Sequence, residues 1–349
     1  MDRYTSNLRK LGVQRRSHDV SAGARLSSMR VPGKDESLAR RERNMQTPVM
    51  RLPIDILVIV FEDVRGNPTT YGLNRTVAAS SMEWIVVSQV CHHWRNVALA
   101  LPTLWSFIHV PGVSPAWCRE MLRRSTPQPL HVIICEDSGA TSFGLEFFKY
   151  LLEKERGRLR ILDLRGTKPA RLIQIFKRCQ TLPELAHLSV TNQSNDAIEL
   201  PLGHLAKRCP TLDSLSVTQV QLNVEREPIP LRITTLKVVS NNIPPRSTYL
   251  RHFSDVLRAF PTLRRLVLTE PTNIEQYQLG TVVINLPPTM NRVEFRSSSA
   301  RNCMGLLSYL SAPSASFSYV FDENISLDAL KHLLSPQAMN SRRCQYDGC

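Results

Sequence analysis

Six short runs of this sequence share one pattern, and it restricts the available folds more than any other feature. "LRILDLRG", "LAHLSVTN", "LDSLSVTQ", "ITTLKVVS", "LRRLVLTE" and "MNRVEFRS" each place apolar residues at positions one, four and six. They begin at Leu159, Leu185, Leu212, Ile233, Leu263 and Met290, so the unit recurs every 21 to 30 residues. Side chains alternate across a strand, which puts positions four and six on one face and positions three, five and seven on the other. One such strand cannot bury its apolar face alone. Stacked copies can.

The segments between the runs supply a second wall. "RLIQIFKRCQTL", "LGHLAKRCPTL" and "YLRHFSDVLRAFPTL" are amphipathic, and each ends in Pro or Leu-Pro ahead of the next run. Cys179 and Cys209 take matching late-helix places and read as small buried hydrophobes. A strand-helix unit of this period is near that of a leucine-rich repeat. The expected fold class is therefore α/β, a solenoid over residues 106–335 with parallel strands on a concave face and helices on a convex one. "LWSFIHV" and "LHVIICED" look like degenerate first repeats, "LLSYLSAPSASFSYVFDE" like a late one, and residues 336–349 like a tail or truncated repeat.

Composition narrows the function classes. The chain has 349 residues, 42% of them hydrophobic, yet no apolar run reaches the roughly eighteen residues of a membrane span. Its start is polar and basic without an apolar signal core, so the expectation is an intracellular protein, cytoplasmic or nuclear, with no membrane partner. Eight cysteines stand singly, without zinc-type pairs or disulfide-dense spacing. The formal charge of +14 permits acidic partners, but much of the excess lies in residues 1–46, which read as a disordered basic arm. Nucleic acid is not the expected partner, because a footprint needs its charges on one face.

Catalysis has one suggestive cluster, Cys91-His92-His93. Neighbours on a helix point about 100° apart, so they make neither a nucleophile-base pair nor a good metal clamp. The sequence contains no G-x-S-x-G, H-E-x-x-H or G-x-x-x-x-G-K-[ST]. The reading is a non-enzyme with no catalytic residues, metal or cofactor.

The same cluster sits in a more specific context. "LPIDILVIVFEDV", apolar on more than one face, is followed after a loop by "VSQVCHHWRNVALALPTLW", which reads as one or two short helices ended by Pro102. The Leu-Pro opening, the Val-Cys-His-His-Trp-Arg stretch and the closing Leu-Trp resemble the F-box motif over roughly residues 50–105. The loop between the first helices is longer than usual, a feature associated with F-box-like proteins of mushroom-forming fungi. The resemblance implies a three-helix F-box-like domain at 47–105, with Leu52, Pro53, Ile54, Ile56, Leu57, Val87 and Val90 facing a Skp-family adaptor of a cullin-RING ubiquitin ligase. Trp94 would build the helical core.

Combined with that resemblance, the polar positions alternating with the apolar ladder become the candidate surface for an unknown protein substrate. They are Asp163 and Arg165, Ser189 and Thr191, Ser216 and Thr218, Lys237, Arg265, and Glu294 and Arg296. A face running from hydroxyls to arginines suits a polar, partly acidic peptide. Two alternatives stay open: a repeat scaffold that has lost the adaptor, and a basic nucleic-acid-associated protein using the N-terminal arm.

Overall fold

The computed structural model describes residues 34–66, 83–110, 114–136, 143–166, 169–194, 196, 198–224, 232–239, 249–269, 284–297, 310–311, 315–321 and 344–345. Most of residues 1–46, residues 67–82, read in the sequence as a loop, and most of residues 336–349 lie outside these residues. The chain divides into two units, residues 1–51 and 52–349. In the first, the expectation of a disordered arm is corrected over Lys34–Met45, which form helix α1, followed by a 3₁₀ turn at Pro48–Arg51. Lys, Glu, Arg and Ala are good helix formers, and an i,i+4 pair between Glu36 and Arg40 (2.5 Å) supports the turn.

The second unit opens with short helices. Helix α2 (Ile54–Arg65) follows Pro53, and after a 3₁₀ turn at Glu83–Val86 come α3 (Val87–Val90), α4 (His92–Ala100) and α5 (Pro102–Trp105). Cys91 is extended (φ −155°, ψ 173°) and breaks the helical run. Its Sγ accepts from the Trp94 backbone N–H at 3.4 Å, so the residue caps α4. Helix α4 ends at Ala100, ahead of Pro102 as expected, and Pro102 itself begins α5 in the first-turn position where its missing N–H costs nothing. The pieces are held together by Leu57, Phe61, Trp84, Val87 and Ala98, all buried, and by Phe61 edge-on to Trp94 at 5.1 Å. Arg65 donates to the Thr103 carbonyl at 2.7 Å, while the Thr103 hydroxyl donates to Glu62 at 3.0 Å.

Nine strands then follow in sheet order as in sequence, all parallel: β1 (Phe107–Val110), β2 (Leu130–Glu136), β3 (Leu159–Gly166), β4 (His187–Asn192), β6 (Ser214–Thr218), β8 (Thr235–Val239), β9 (Arg265–Thr269), β11 (Arg292–Ser297) and β13 (Ser316–Phe321). A tenth, β14 (Cys344–Gln345), pairs with β13. Short parallel pairs run beside the large sheet, β5 (Glu199–Pro201) with β7 (Gln221–Asn223) and β10 (Ile284–Asn285) with β12 (Leu310–Ser311). Helices α6 (Pro115–Ser125), α7 (Phe143–Lys154), α8 (Pro169–Arg178), α9 (Leu202–Arg208) and α10 (Tyr249–Arg258) lie between strands in sequence. The molecule is thus mixed α/β with a large parallel sheet.

Register explains the six-fold pattern. Position-four residues Leu162, Leu188, Leu215, Leu236, Leu266 and Val293 are consecutive cross-strand partners. Each is buried in one continuous core shared with the helices, as are the first residues of every run, Leu159 to Met290. Phe107, Ile133, Val239 and Val267 are buried too, but on the opposite side and outside that core. Turn threonines staple successive units: the hydroxyl of Thr211 donates to Pro183 and Leu185 carbonyls (2.7 and 3.1 Å), and that of Thr289 to Pro261 and Leu263 (2.9 and 2.8 Å). Cys179 and Cys209 are buried, and burial pushes the Cys209 thiol up to about 12, as expected for inert packing residues.

Candidate functional site

Two surfaces of the second unit draw together the residues singled out in the sequence. The helical module buries Leu57 and Phe61 on one side of α2 and leaves other apolar residues of the helix open, Ile56 and Ile59 on the opposite side and Ile54 at the first turn. Ile54 and Ile59 are 59% and 62% exposed, and Ile56, Val86 and Val90 also stand in solvent. Ile56 and Ile59 are three residues apart on one helix and share a face. These isoleucines and valines are exposed on a module that buries Leu57, Phe61, Trp84, Val87 and Ala98.

Of the expected docking residues, Pro53, Ile54, Ile56 and Val90 are exposed and Leu52 is half-buried against the core. Leu57 and Val87 are corrections: at 0% and 2% exposure they are core residues and cannot face a partner. They sit one helical step from the exposed set, a distinction that an all-round apolar helix hides in the sequence. Ile59 and Val86 belong to the exposed set and were missed.

The open face of the sheet carries three registered rows. The middle row runs His109, Ile133, Asp163, Ser189, Ser216, Lys237, Val267, Glu294 and Ser318. The row beside it runs Cys135, Arg165, Thr191, Thr218, Val239, Thr269 and Arg296. The third row, on the other side of the middle one, runs Phe107, His131, Ile161, His187, Ser214, Thr235, Arg265, Arg292 and Ser316. All ten expected contact residues therefore share one sheet face. They are not equally open: Asp163, Thr191, Thr218 and Glu294 are buried. Asp163 is covered by Arg165, which donates to it from Nε at 2.9 Å. Asp163 and Glu294 thus anchor arginines and are not themselves contact surface.

Charge separates along the face. At the β3 end the Asp163–Arg165 pair is neutral in sum, and next to it lie His109 and His131. Burial, with Arg165 adding to it, lowers the His109 pKa to about 4, and burial with Arg165 and other cations lowers His131 to about 3. The Nδ1 atoms of both are buried without a hydrogen-bond partner among the described residues. His109 Nε2 lies 3.5 Å from Cys135 Sγ. The two early runs "LWSFIHV" and "LHVIICED" carry these residues at alternating positions, so the same alternation rule finds them once applied there.

At the other end three guanidiniums surround one carboxylate. Glu294 accepts from Arg265 Nη2 at 2.7 Å on Oε2 and from Arg296 Nε and Nη2 at 2.9 and 2.6 Å on Oε1, with Arg292 Nε at 3.7 Å. Burial would raise the Glu294 carboxyl, but these arginines outweigh it and hold it below the ordinary value. Lys237, two strands away in the same row, is lowered by burial and then by Arg296 and Arg265, partly opposed by Glu294.

Cys91, His92 and His93 do not converge: Cys91 caps α4, exposed His92 faces Asn96 at 3.3 Å one turn on, and His93 is half-buried. Among the described residues no group of three His, Cys, Asp or Glu side chains is placed to hold a metal ion. No described helix is long and apolar enough to cross a membrane. In comparisons with known proteins, no family model matches the chain and no curated sequence matches it significantly.

Proposed function

We propose that the chain is the substrate-recognition subunit of a Skp-cullin-F-box type ubiquitin ligase, with an F-box-like module at 52–105 and a leucine-rich-repeat solenoid whose concave sheet face selects an intracellular protein substrate. The observation that carries this reading is the set of exposed apolar side chains on the helical module, Ile54, Ile56, Ile59, Val86 and Val90. It coincides in sequence with the motif resembling an F-box, and an adaptor helix laid on it would remove these side chains from water. The protein performs no bond chemistry in this account. It raises the effective concentration of a substrate near the ligase's ubiquitin carrier.

Such a role requires the docking module and the recognition face to move as one body. Trp105 supplies the junction. Its indole donates to the Ala98 carbonyl at 2.9 Å and meets Trp84 of the helical module edge-on at 5.0 Å. Its ring also lies against Trp117 of α6 at 5.6 Å and under the Arg124 guanidinium at 4.6 Å. The test is adaptor binding by the full chain and by Ile56→Asp/Ile59→Asp. Both positions are exposed, so the variant should keep its melting temperature within a few degrees while losing the adaptor. Adaptor binding unchanged by the double substitution would refute the assigned surface.

A further inference from the structure

Basic residues that stand apart in the sequence gather along one edge of the second unit, and we infer that this edge binds double-stranded nucleic acid through its phosphate backbone. The inference goes beyond the ligase reading and does not require it.

Neighbouring parallel strands joined through a helix make that helix run back against them, so the helix C-termini meet the N-terminal ends of the strands. Each of α6 to α10 carries Lys or Arg in its last turn, among them Lys177 and Arg178 of α8 and Lys207 and Arg208 of α9. Arg160, at the start of β3, and Arg264, just ahead of β9, lie on the same edge. The Arg160 carbonyl accepts from the Ala186 N–H at 2.9 Å, and the Arg264 N–H donates to the Thr234 carbonyl at 2.8 Å, in a line of backbone bonds that links successive units. Arg160, Arg178, Lys207 and Arg264 are exposed, and neither they nor Lys177 and Arg208 have an ion pair or side-chain hydrogen bond among the described residues. From the end of α8 to the start of β6 this edge sets only Glu184 and Asp213 against the four helix-end cations, so positive charge is in excess.

A cation in the last turn of a helix also complements the helix dipole, an effect that fades within that turn. Arg160 and Arg264 lie past the helices, so the dipole does not account for them. The chemistry of the edge selects among anions. A protein partner calls for apolar and aromatic side chains at the centre of the contact. Among the described residues of the second unit, the large exposed hydrophobic side chains lie on the helical module and at Tyr150, one turn inside α7, and none lies at the helix ends or strand starts of this edge. For the same reason unpaired bases find nothing there to stack on. A duplex asks for neither: it presents about one negative charge per 1.7 Å of its axis, so a line of cations stepping from unit to unit meets phosphates without an exact register.

The experiment follows fluorescence anisotropy of three labelled probes titrated with the full chain over a salt series: a short DNA duplex, one of its single strands, and a polyglutamate peptide. The duplex should bind most tightly. Arg178→Gln/Lys207→Gln, at two exposed positions, should melt within a few degrees of the parent. It should weaken duplex binding by at least about fivefold and lower the slope of log affinity against log salt by about two. Arg160→Gln/Arg264→Gln repeats the test at positions outside the helices and should act alike. Lys237→Gln/Arg292→Gln removes the same charge from the open sheet face and should leave both readouts nearly unchanged. Equal weakening by the edge and face variants, undiminished binding by the folded edge variants, which would place binding on residues 1–46, or tighter binding of the single strand or polyglutamate would overturn the inference. Adaptor binding is measured on the same preparation through Ile56 and Ile59, so the ligase reading can fail while the nucleic-acid edge stands, and the reverse.

Discussion

Replacing Trp105 with alanine strikes a side chain that joins the helical module to α6. The ring is 2% exposed, and truncating a buried tryptophan costs about 3–5 kcal/mol in lost transfer energy and residual cavity. The loss here belongs at the upper end. The indole also makes the Ala98 hydrogen bond, two aromatic contacts and the Arg124 contact, of which each ring pair adds about 0.5–1.5 kcal/mol. Trp105→Phe keeps a ring and forfeits the donor, for a loss of about 1–2 kcal/mol. Urea unfolding followed by far-ultraviolet circular dichroism and by fluorescence of the remaining tryptophans supplies both values. The parent should unfold in one transition by both probes, since module and sheet share a core. An alanine loss below about 2 kcal/mol, or a parent whose two probes separate, would refute the rigid junction.

Two further perturbations test the packing account. Arg158 is largely buried and donates to Glu155 (2.6 Å), Ser125 (3.1 Å) and the Leu122 and Gln128 carbonyls (2.8 and 3.1 Å), so Arg158→Met should cost about 2 kcal/mol in urea unfolding. Arg258→Ala, which breaks an exposed pair with Asp255 of the same helix, should change stability by less than about 0.5 kcal/mol. Equal effects would contradict the weight given to burial. His109 and His131 predict an acid-side loss. Their folded values, about 4 and about 3, lie below the unfolded value, so the unfolded chain binds more protons in that interval. Stability should be complete above about pH 6.5 and fall with pH toward the folded values, by about 1.4 kcal/mol per pH unit per histidine. His131→Phe should flatten the slope between pH 6 and 5, and an unchanged slope would show that these groups do not carry it.

The sheet was legible because its signal is local: Leu162, Leu188, Leu215 and their counterparts repeat at fixed offsets, and alternation alone assigns the two faces. Accessibility was not legible for the same residues. Whether Asp163 or Glu294 is buried depends on Arg165, Arg265 and Arg296 folding over it, and Arg265 comes from a neighbouring strand 29 residues away. In the helical module, the apolar sequence of α2 shows that both sides are hydrophobic and hides which is covered; Leu57 and Ile56 differ only in direction. Helix α1 lacks an apolar stripe, so periodicity misses it, although its composition favours a helix. The break at Cys91 arises from a cap bond, which no hydrophobic pattern reports.

The central claim is that the open side of residues 52–90 docks a ligase adaptor, and its most direct test is calorimetric titration of the folded full-length chain with a purified Skp-family adaptor. The account predicts a one-to-one complex with a negative heat-capacity change from apolar burial, abolished by Ile56→Asp/Ile59→Asp and unaffected by Lys237→Gln/Arg292→Gln. A folded chain that gives no binding heat and retains no adaptor on co-purification would contradict it.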